Sequence, residues 1–242
     1  MDNKCEIIVR ACFNKNIRKD KRYCRVPKRE LSIKCIKSIA KAAKQTSKIS
    51  YLTIVLDGEE DPSLKNILAE VSCPTRILRA NGIKESASRW FSAGRNSNSD
   101  LLYMVEDDYL HCETAIKEII EDHSLFSRIW PTSQIAIHPF DDPDRYFKDP
   151  GPPAQIRLGT NRHYRTNYWS THTVLITQKT LKDNWDKFTA AGRGLGEDES
   201  INLIWRGANT KLLTPIPSLA LHMQGEDQRP HFINWEEWWE KV

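Results

Sequence analysis

Leu101-Leu102-Tyr103-Met104-Val105-Glu106-Asp107-Asp108-Tyr109 is the stretch from which the fold can be read. Its five leading apolar residues, several bulky or β-branched, predict a short strand buried on both faces. Three consecutive acids follow directly. Carboxylates crowded at a strand's end repel one another, and a divalent cation with a preference for hard oxygen ligands, Mg2+ or Mn2+, answers that repulsion. In open α/β sheets, ligands bind beyond the carboxyl ends of strands, which is where these acids fall. A solvated acidic turn leading into a helix over 113–121 fits the triplet alone just as well. The surrounding chain has to decide.

Upstream, Glu6–Phe13 predicts a first strand ending at Asn14. A strongly basic loop over Lys15–Lys28 follows, long enough to carry function. Apolar residues at Leu31, Cys35, Ile36, Ile39, Ala40 and Ala43 have helical spacing over 29–45. Tyr51–Leu56 predicts a second strand stopped at Asp57-Gly58, and Asp61-Pro62-Ser63 opens a helix to Val71, with proline in its tolerated first turn. A third strand over Thr75–Leu78 and a helix over Glu85–Gly94 lead into the acidic strand. Strands alternating with helices predict an α/β fold: a mostly parallel central sheet, helices on both faces, Rossmann-like. Downstream, Gln134–Pro139 and Leu212–Pro215 read as strands, and the Pro-, Gly- and Asp-rich 141–160 as a long irregular segment. Tyr168–Thr177 reads as a strand, 178–190 and 197–206 as helices, and Trp235, Trp238 and Trp239 as an amphipathic C-terminal cap.

No apolar run in the 242 residues approaches a membrane span, and no signal peptide opens the sequence. The expectation is a soluble cytoplasmic protein without a membrane partner; the oligomeric state is not legible. Six cysteines without CxxC pairs or zinc spacing read as reduced, packed thiols. The net charge of +4 is unevenly spread: fourteen Lys or Arg lie between Arg10 and Lys48 against Asp20 and Glu30. Such a segment suits a polyanionic partner, or is simply a solvated helix and loop.

In chain order, Asp57, Asn96, the Glu106-Asp107-Asp108 triplet, Gly196-Glu197-Asp198 and His222 form a series. It resembles the GT-A nucleotide-sugar glycosyltransferases, and within them is similar to the family-two enzymes. Phe13-Asn14 resembles the Asn ending their first strand, Leu56-Asp57-Gly58 the Asp that holds the nucleotide base, and Ala93-Gly94-Arg95-Asn96 the helix end preceding the metal strand. The resemblance covers about Glu6 to His222 and implies one domain over 1–242, with a donor half over about 5–110, an acceptor half over about 111–225 and the Trp-rich cap. It implies a nucleotide-sugar donor, UDP-linked, touched by Asn14, Asp57, Arg95, Glu106 and Asp107. A divalent metal (Mn2+ or Mg2+) on Asp108 and His222 would hold the diphosphate and neutralise the leaving group. Asp198 would deprotonate the acceptor hydroxyl, with inversion, and Glu197 would touch the acceptor. Structural alternatives stand beside these roles: Asp57 as a turn residue, Glu197 and Asp198 as helix-capping acids, His222 as a core histidine. His111 and Cys112 follow the triplet, His111 pointing away on the next helix. The first motif acid is Glu instead of the common Asp, Asp57 lacks the second Asp that often precedes it, and no Gln-x-x-Arg-Trp motif follows Asp198. The last absence favours transfer of a single sugar.

For the acceptor, Lys19, Lys21, Arg22 and Arg25, together with Arg162, Arg165, Trp169 and His172, supply the cations and aromatic rings that DNA with a flipped-out base requires. Bacterial viruses encode DNA glycosyltransferases, and a small GT-A domain with a basic arm is similar to what that role demands; its location would then be the host cytoplasm. A hydroxylated base in DNA is therefore one expected acceptor, a glycan, lipid or protein another. A non-catalytic nucleic-acid-binding module is the third reading.

Overall fold

A computed structural model describes residues 3–13, 24–147, 153–170, 173–193, 195–196, 199–225, 228 and 232–242. Its first half follows the expected alternation: β1 (Cys5–Cys12), α1 (Lys28–Ala43), β2 (Ile49–Asp57), α2 (Pro62–Ala69), β3 (Thr75–Ala80), α3 (Ile83–Arg95) and β4 (Leu101–Glu106). These four strands pair in parallel in the order β3-β2-β1-β4. Asp61 caps α2 by accepting the Ser63 N–H at 2.8 Å, with Pro62 in the first turn as its fixed φ favours.

Neighbouring residues of β1 and β4 enter different cores. Ile7, Val9, Tyr103 and Val105 join a cluster with α1 and α2, while Ile8, Leu102 and Met104 join one with α3. That is the two-residue period of a strand covered on both sides, and it explains why β4 reads as an unbroken apolar run. Gly94 is needed at the α3–β4 contact: a Cβ there would lie 2.8 Å from a Leu181 methyl and 3.2 Å from one of Leu102.

After β4 come β5 (Tyr109–His111), α4 (Ala115–Ile129), β6 (Gln134–Ile137), α5 (Asp144–Phe147), β7 (Ile156–Leu158), β8 (His163–Asn167), β9 (Val174–Thr177), α6 (Gln178–Asp183), α7 (Trp185–Gly192), α8 (Asn202–Trp205), β10 (Thr210–Ile216), β11 (Ala220–His222) and α9 (Trp235–Lys241). The large sheet runs β3-β2-β1-β4-β9-β6-β10-β8-β7. β9 is antiparallel to both β4 and β6, so the parallel character of the first half gives way to a mixed second half. The Trp residues of α9 pack on the first core, as an amphipathic cap should, with Lys34 Nζ 4.5 Å from the Trp239 ring centre. All six cysteines are free thiols.

Three expectations fail locally, and a fourth is described only in part. The strand expected over 168–177 is only β9 at its end, because the Asn167 side chain accepts the N–H groups of Tyr168 and Trp169 and turns the chain out of β8. The helix expected over 178–190 divides at Asn184, which sits at φ −115° as the C-cap of α6. The helix expected over 197–206 is described only as α8, and Glu197 and Asp198 lie outside the described residues. Finally, Tyr109–His111, read as the approach to a helix, is a strand that pairs antiparallel with β11 to form a separate two-stranded ribbon.

Candidate active site

Parallel register puts the ends of three strands on one rim: Cys12 pairs with Asp57, and Arg10 with Glu106. The acid turn leaves β4 there, tied back by the Asp107 N–H donating to the Arg10 carbonyl at 3.1 Å. The ribbon then delivers the distant partner. Tyr109 faces His222 across it, and the Met223 N–H donates to the Asp108 carbonyl at 2.9 Å. His222 Nε2 comes to 3.7 Å from Asp108 Oδ1, while Gln224 Nε2 donates to Asp108 Oδ2 at 2.9 Å. A cleft of about 200 Å3 opens on this rim between Arg10, Lys28, Asp57, Glu106, Asp108 and Gln224.

Burial alone would raise the Asp108 carboxyl, but the charges of Lys28 and His222 and the hydrogen bond from Gln224 outweigh it and hold the group below the usual carboxylate range. Burial likewise disfavours a charged His222, and the Asp108 carboxylate overrides it, raising the imidazole above its ordinary value. Asp108 Oδ1 is buried and accepts no hydrogen bond among the described residues.

Asp57 ends β2 in the cleft wall and accepts the Gly82 N–H at 2.7 Å. Gly82 has φ of 92°, a left-handed conformation that suits glycine and permits this approach. Glu106 is 3.5 Å from the Arg10 guanidinium. Asp107 has both oxygens engaged, one by the Cys12 N–H at 2.9 Å and the other by Lys28 Nζ at 2.6 Å.

Other expected site residues are placed elsewhere. Arg95 lies at the opposite end of the parallel strands: it ends α3, its carbonyl accepts from Gln178 near the start of β4, and its guanidinium stacks on Trp185 at 4.5 Å. Helix α3 runs back from the rim, so its C-terminus cannot reach a donor there. Arg162 pairs with Glu118 at 2.9 Å and donates to the Pro217 carbonyl at 2.8 Å. Arg165 is buried against Asp141 at 2.6 Å, and Trp169 lies between the guanidinium groups of Arg145 and Arg206. These three residues are committed to internal contacts instead of forming an open phosphate-binding face. His111, expected on a helix, is buried in β5 with Nε2 2.6 Å from the Tyr103 hydroxyl, and burial lowers its pKa to about 4. Of the basic arm, Arg25 is exposed at φ 44°. Asn14, Lys19, Lys21, Arg22, His172, Glu197 and Asp198 lie outside the described residues.

Among solved structures, S. aureus TarS residues 1–349 match with a TM-score of 0.53 and 12% identity over 87% of this chain and 60% of that one. A second S. aureus TarS structure gives 0.50 and 13% over 87% and 35%. The 4-diphosphocytidyl-2C-methyl-D-erythritol synthase of Anaerococcus prevotii gives 0.50 and 10% over 97% and 93%. The fold is GT-A-like. At these identities the likeness is one of fold, and the chain spans 60% or less of the TarS chains it matches. No family model matches the sequence, and no curated protein matches it either.

Within the GT-A-like frame, the acid turn stands at the carboxyl end of the central parallel strands, where ligands of open α/β sheets bind. Arg10 and Gln224 line the cleft without having been picked out from the sequence, and Lys28 lines it after being read only as part of the basic segment. Arg10 could have been found as the one charge inside the apolar run Ile7–Ala11. Lys28 could have been found as a cation in the first turn of a helix, where the dipole disfavours it.

Proposed function

We propose that the protein is a nucleotide-sugar glycosyltransferase that moves a single sugar from a nucleotide-sugar, UDP-linked, to an acceptor hydroxyl. The observation that carries this reading is the pairing of β5 with β11, which brings His222 to Asp108 at the donor rim of a GT-A-like sheet. A buried, orphaned carboxylate oxygen facing an imidazole nitrogen suits a divalent cation, Mn2+ or Mg2+, so the residues fit a metal held by Asp108 and His222. Among the described residues no group of three His, Cys, Asp or Glu gathers, so the remaining ligands would be donor phosphate, water or residues outside that set. When bound, the metal supplies Lewis-acid stabilisation of the leaving diphosphate.

The chain's own residues do the rest. Asp57 sits where the base of the nucleotide would be held, and Glu106 lies toward the ribose. Asp198 is the proposed base: an ionised carboxylate within hydrogen-bond reach takes the acceptor's proton as its oxygen attacks the anomeric carbon, with inversion. Glu197 is placed beside the acceptor.

The DNA-base acceptor now rests on the N-terminal cations, Lys19, Lys21, Arg22 and Arg25. The internal pairing of Arg162 and Arg165 favours the second reading, a glycan, lipid or protein acceptor that needs no broad cationic face. A purely nucleic-acid-binding module leaves the buried Asp108–His222 pair without a purpose. No helix among the described residues is long and apolar enough to cross a membrane.

A thermal-shift series with nucleoside diphosphates, with and without Mn2+, tests the reading, since a ligand selective for the folded state raises the melting temperature. A shift with UDP that grows with Mn2+ supports it. No shift with any nucleoside diphosphate contradicts it.

A further inference from the structure

The acid turn already holds a cation from its own chain. Lys28 opens α1 and is 7% exposed, with Nζ 2.6 Å from Asp107 Oδ1 and 4.0 Å from Asp108 Oδ2. The second Asp107 oxygen accepts the Cys12 N–H, so the pair is anchored to the end of β1. This placement is unfavourable on two counts. Burying an ammonium ion carries a desolvation penalty. The first turn of a sixteen-residue helix is the positive end of its dipole, where a cation is again disfavoured.

Stability does not account for it, because apolar residues of similar volume commonly replace a buried ion pair without loss. Departures from local preference of this kind collect at functional sites. The ammonium also lines the cleft that holds Asp57, Glu106 and Asp108. A diphosphate entering that cleft meets the carboxylate of Asp108, anion against anion. Arg10, on the far side, is held by Glu106, the Ser86 hydroxyl at 3.2 Å and the Ile83 carbonyl. Lys28 is the cation set directly beside Asp108.

We propose that Lys28 is a ligand of the donor's diphosphate and that Asp107 is its positioning residue, acting through the ammonium instead of touching the donor. The inference rests on the nucleotide-sugar reading and narrows it to a named phosphate contact. Lys28 keeps its bond to Asp107 and makes a charge-assisted hydrogen bond to a phosphate oxygen. During transfer, the bond from the anomeric carbon to the diphosphate oxygen breaks, and its electron pair stays on that oxygen. The acceptor oxygen bonds to the carbon and its proton passes to the base. Lys28 stays protonated and stabilises the charge gained by the leaving diphosphate.

Calorimetry with UDP and with uridine, both in Mn2+, tests this on the full chain. The paired variant Lys28→Met with Asp107→Asn removes both charges and leaves no unpaired buried charge, while the Asn oxygen can still accept the Cys12 N–H. Expected is a loss of UDP affinity of about ten- to hundredfold, the scale of a charged hydrogen bond, with uridine affinity unchanged. Lys28→Arg should recover part of the loss. Should the paired variant fail to fold, Lys28→Gln, which can still donate to Asp107, should show the same selective loss. Unchanged UDP affinity in these variants, with the unaltered protein still preferring UDP to uridine, overturns the role of Lys28 and leaves the nucleotide reading intact. Equal loss of uridine and UDP overturns it too, marking a structural residue. An unaltered protein with no preference for UDP overturns both.

Discussion

Tyr109 and His222 lie opposite each other in the β5–β11 ribbon with their rings stacked, 4.5 Å between centres and 10° between planes. The residues are 113 positions apart, and their contact joins the acid turn to the end of the chain's last ribbon strand. Tyr109 is fully buried and its ring also meets His138 and Phe140 edge-on, so the imidazole is held by packing as well as by Asp108.

Tyr109→Ala should therefore do two things. Removing a buried aromatic ring should destabilise the fold by about 3–5 kcal/mol, as for other large-to-small core changes. It should also loosen His222 and weaken Mn2+-dependent diphosphate binding, whereas Tyr109→Phe, which keeps the stacked ring, should preserve that binding. Chemical denaturation and calorimetry on the two variants check this; equal diphosphate affinity in Tyr109→Ala would show that the stack does not position His222.

Stability should fall with acid between about pH 6.5 and pH 4. His111, His123 and His138 are buried, and burial lowers each pKa to about 4. Unfolded, each takes a proton near pH 6.5, so over that window the unfolded state holds more protons and is stabilised by acidification relative to the folded state. The effect is on the order of 2–3 kcal/mol for each histidine. His222 opposes it, since its raised pKa adds stability that is present below pH 6.5 and lost as pH rises through the folded value. Three outweigh one, so urea midpoints should drop from pH 7 to pH 4.5; a flat profile would contradict the neutral burial of these rings.

Much of the fold was legible in the sequence. The strands are buried on both faces over Leu101–Val105 and Leu52–Leu56, and there the sequence is apolar but for Thr53. The ribbon was not legible, because Tyr109-Leu110-His111 is three residues long and its partner lies more than a hundred residues away; no local period marks such a pairing. The break after β8 depends on one asparagine side chain taking two backbone N–H groups. In the site, Asp108 and His222 were placed by resemblance to a motif order. Lys28 read only as one cation of a basic segment suited to a polyanion, and it is the fold that turns this one inward onto Asp107.

Asp198→Asn should leave UDP affinity nearly unchanged and lower sugar transfer by about a hundredfold or more, the scale of a general base. Calorimetry beside a transfer assay separates the two effects. An equal loss of donor affinity would mark Asp198 as a donor-site residue and make Glu197 the next base to test.

If DNA carries the acceptor, its affinity should fall steeply with salt, as counterion release requires. Reversing Lys19, Lys21, Arg22 and Arg25 to Glu should weaken binding alike on every sequence, since phosphate contacts carry no sequence information, and should spare donor hydrolysis. Filter binding across a salt series measures this. No binding by the unaltered protein at low salt ends the DNA reading and leaves the glycan, lipid or protein acceptor.

The central claim is that the Asp108–His222 rim turns over a nucleotide-sugar. Its most direct measurement is the release of UDP from UDP-sugars in water, with and without Mn2+, by the unaltered protein and by Asp108→Asn, which keeps the side chain's shape while removing its charge. The account predicts slow, Mn2+-stimulated release by the unaltered protein and loss of that stimulation in a folded Asp108→Asn variant. Equal, metal-indifferent release by both proteins would contradict it.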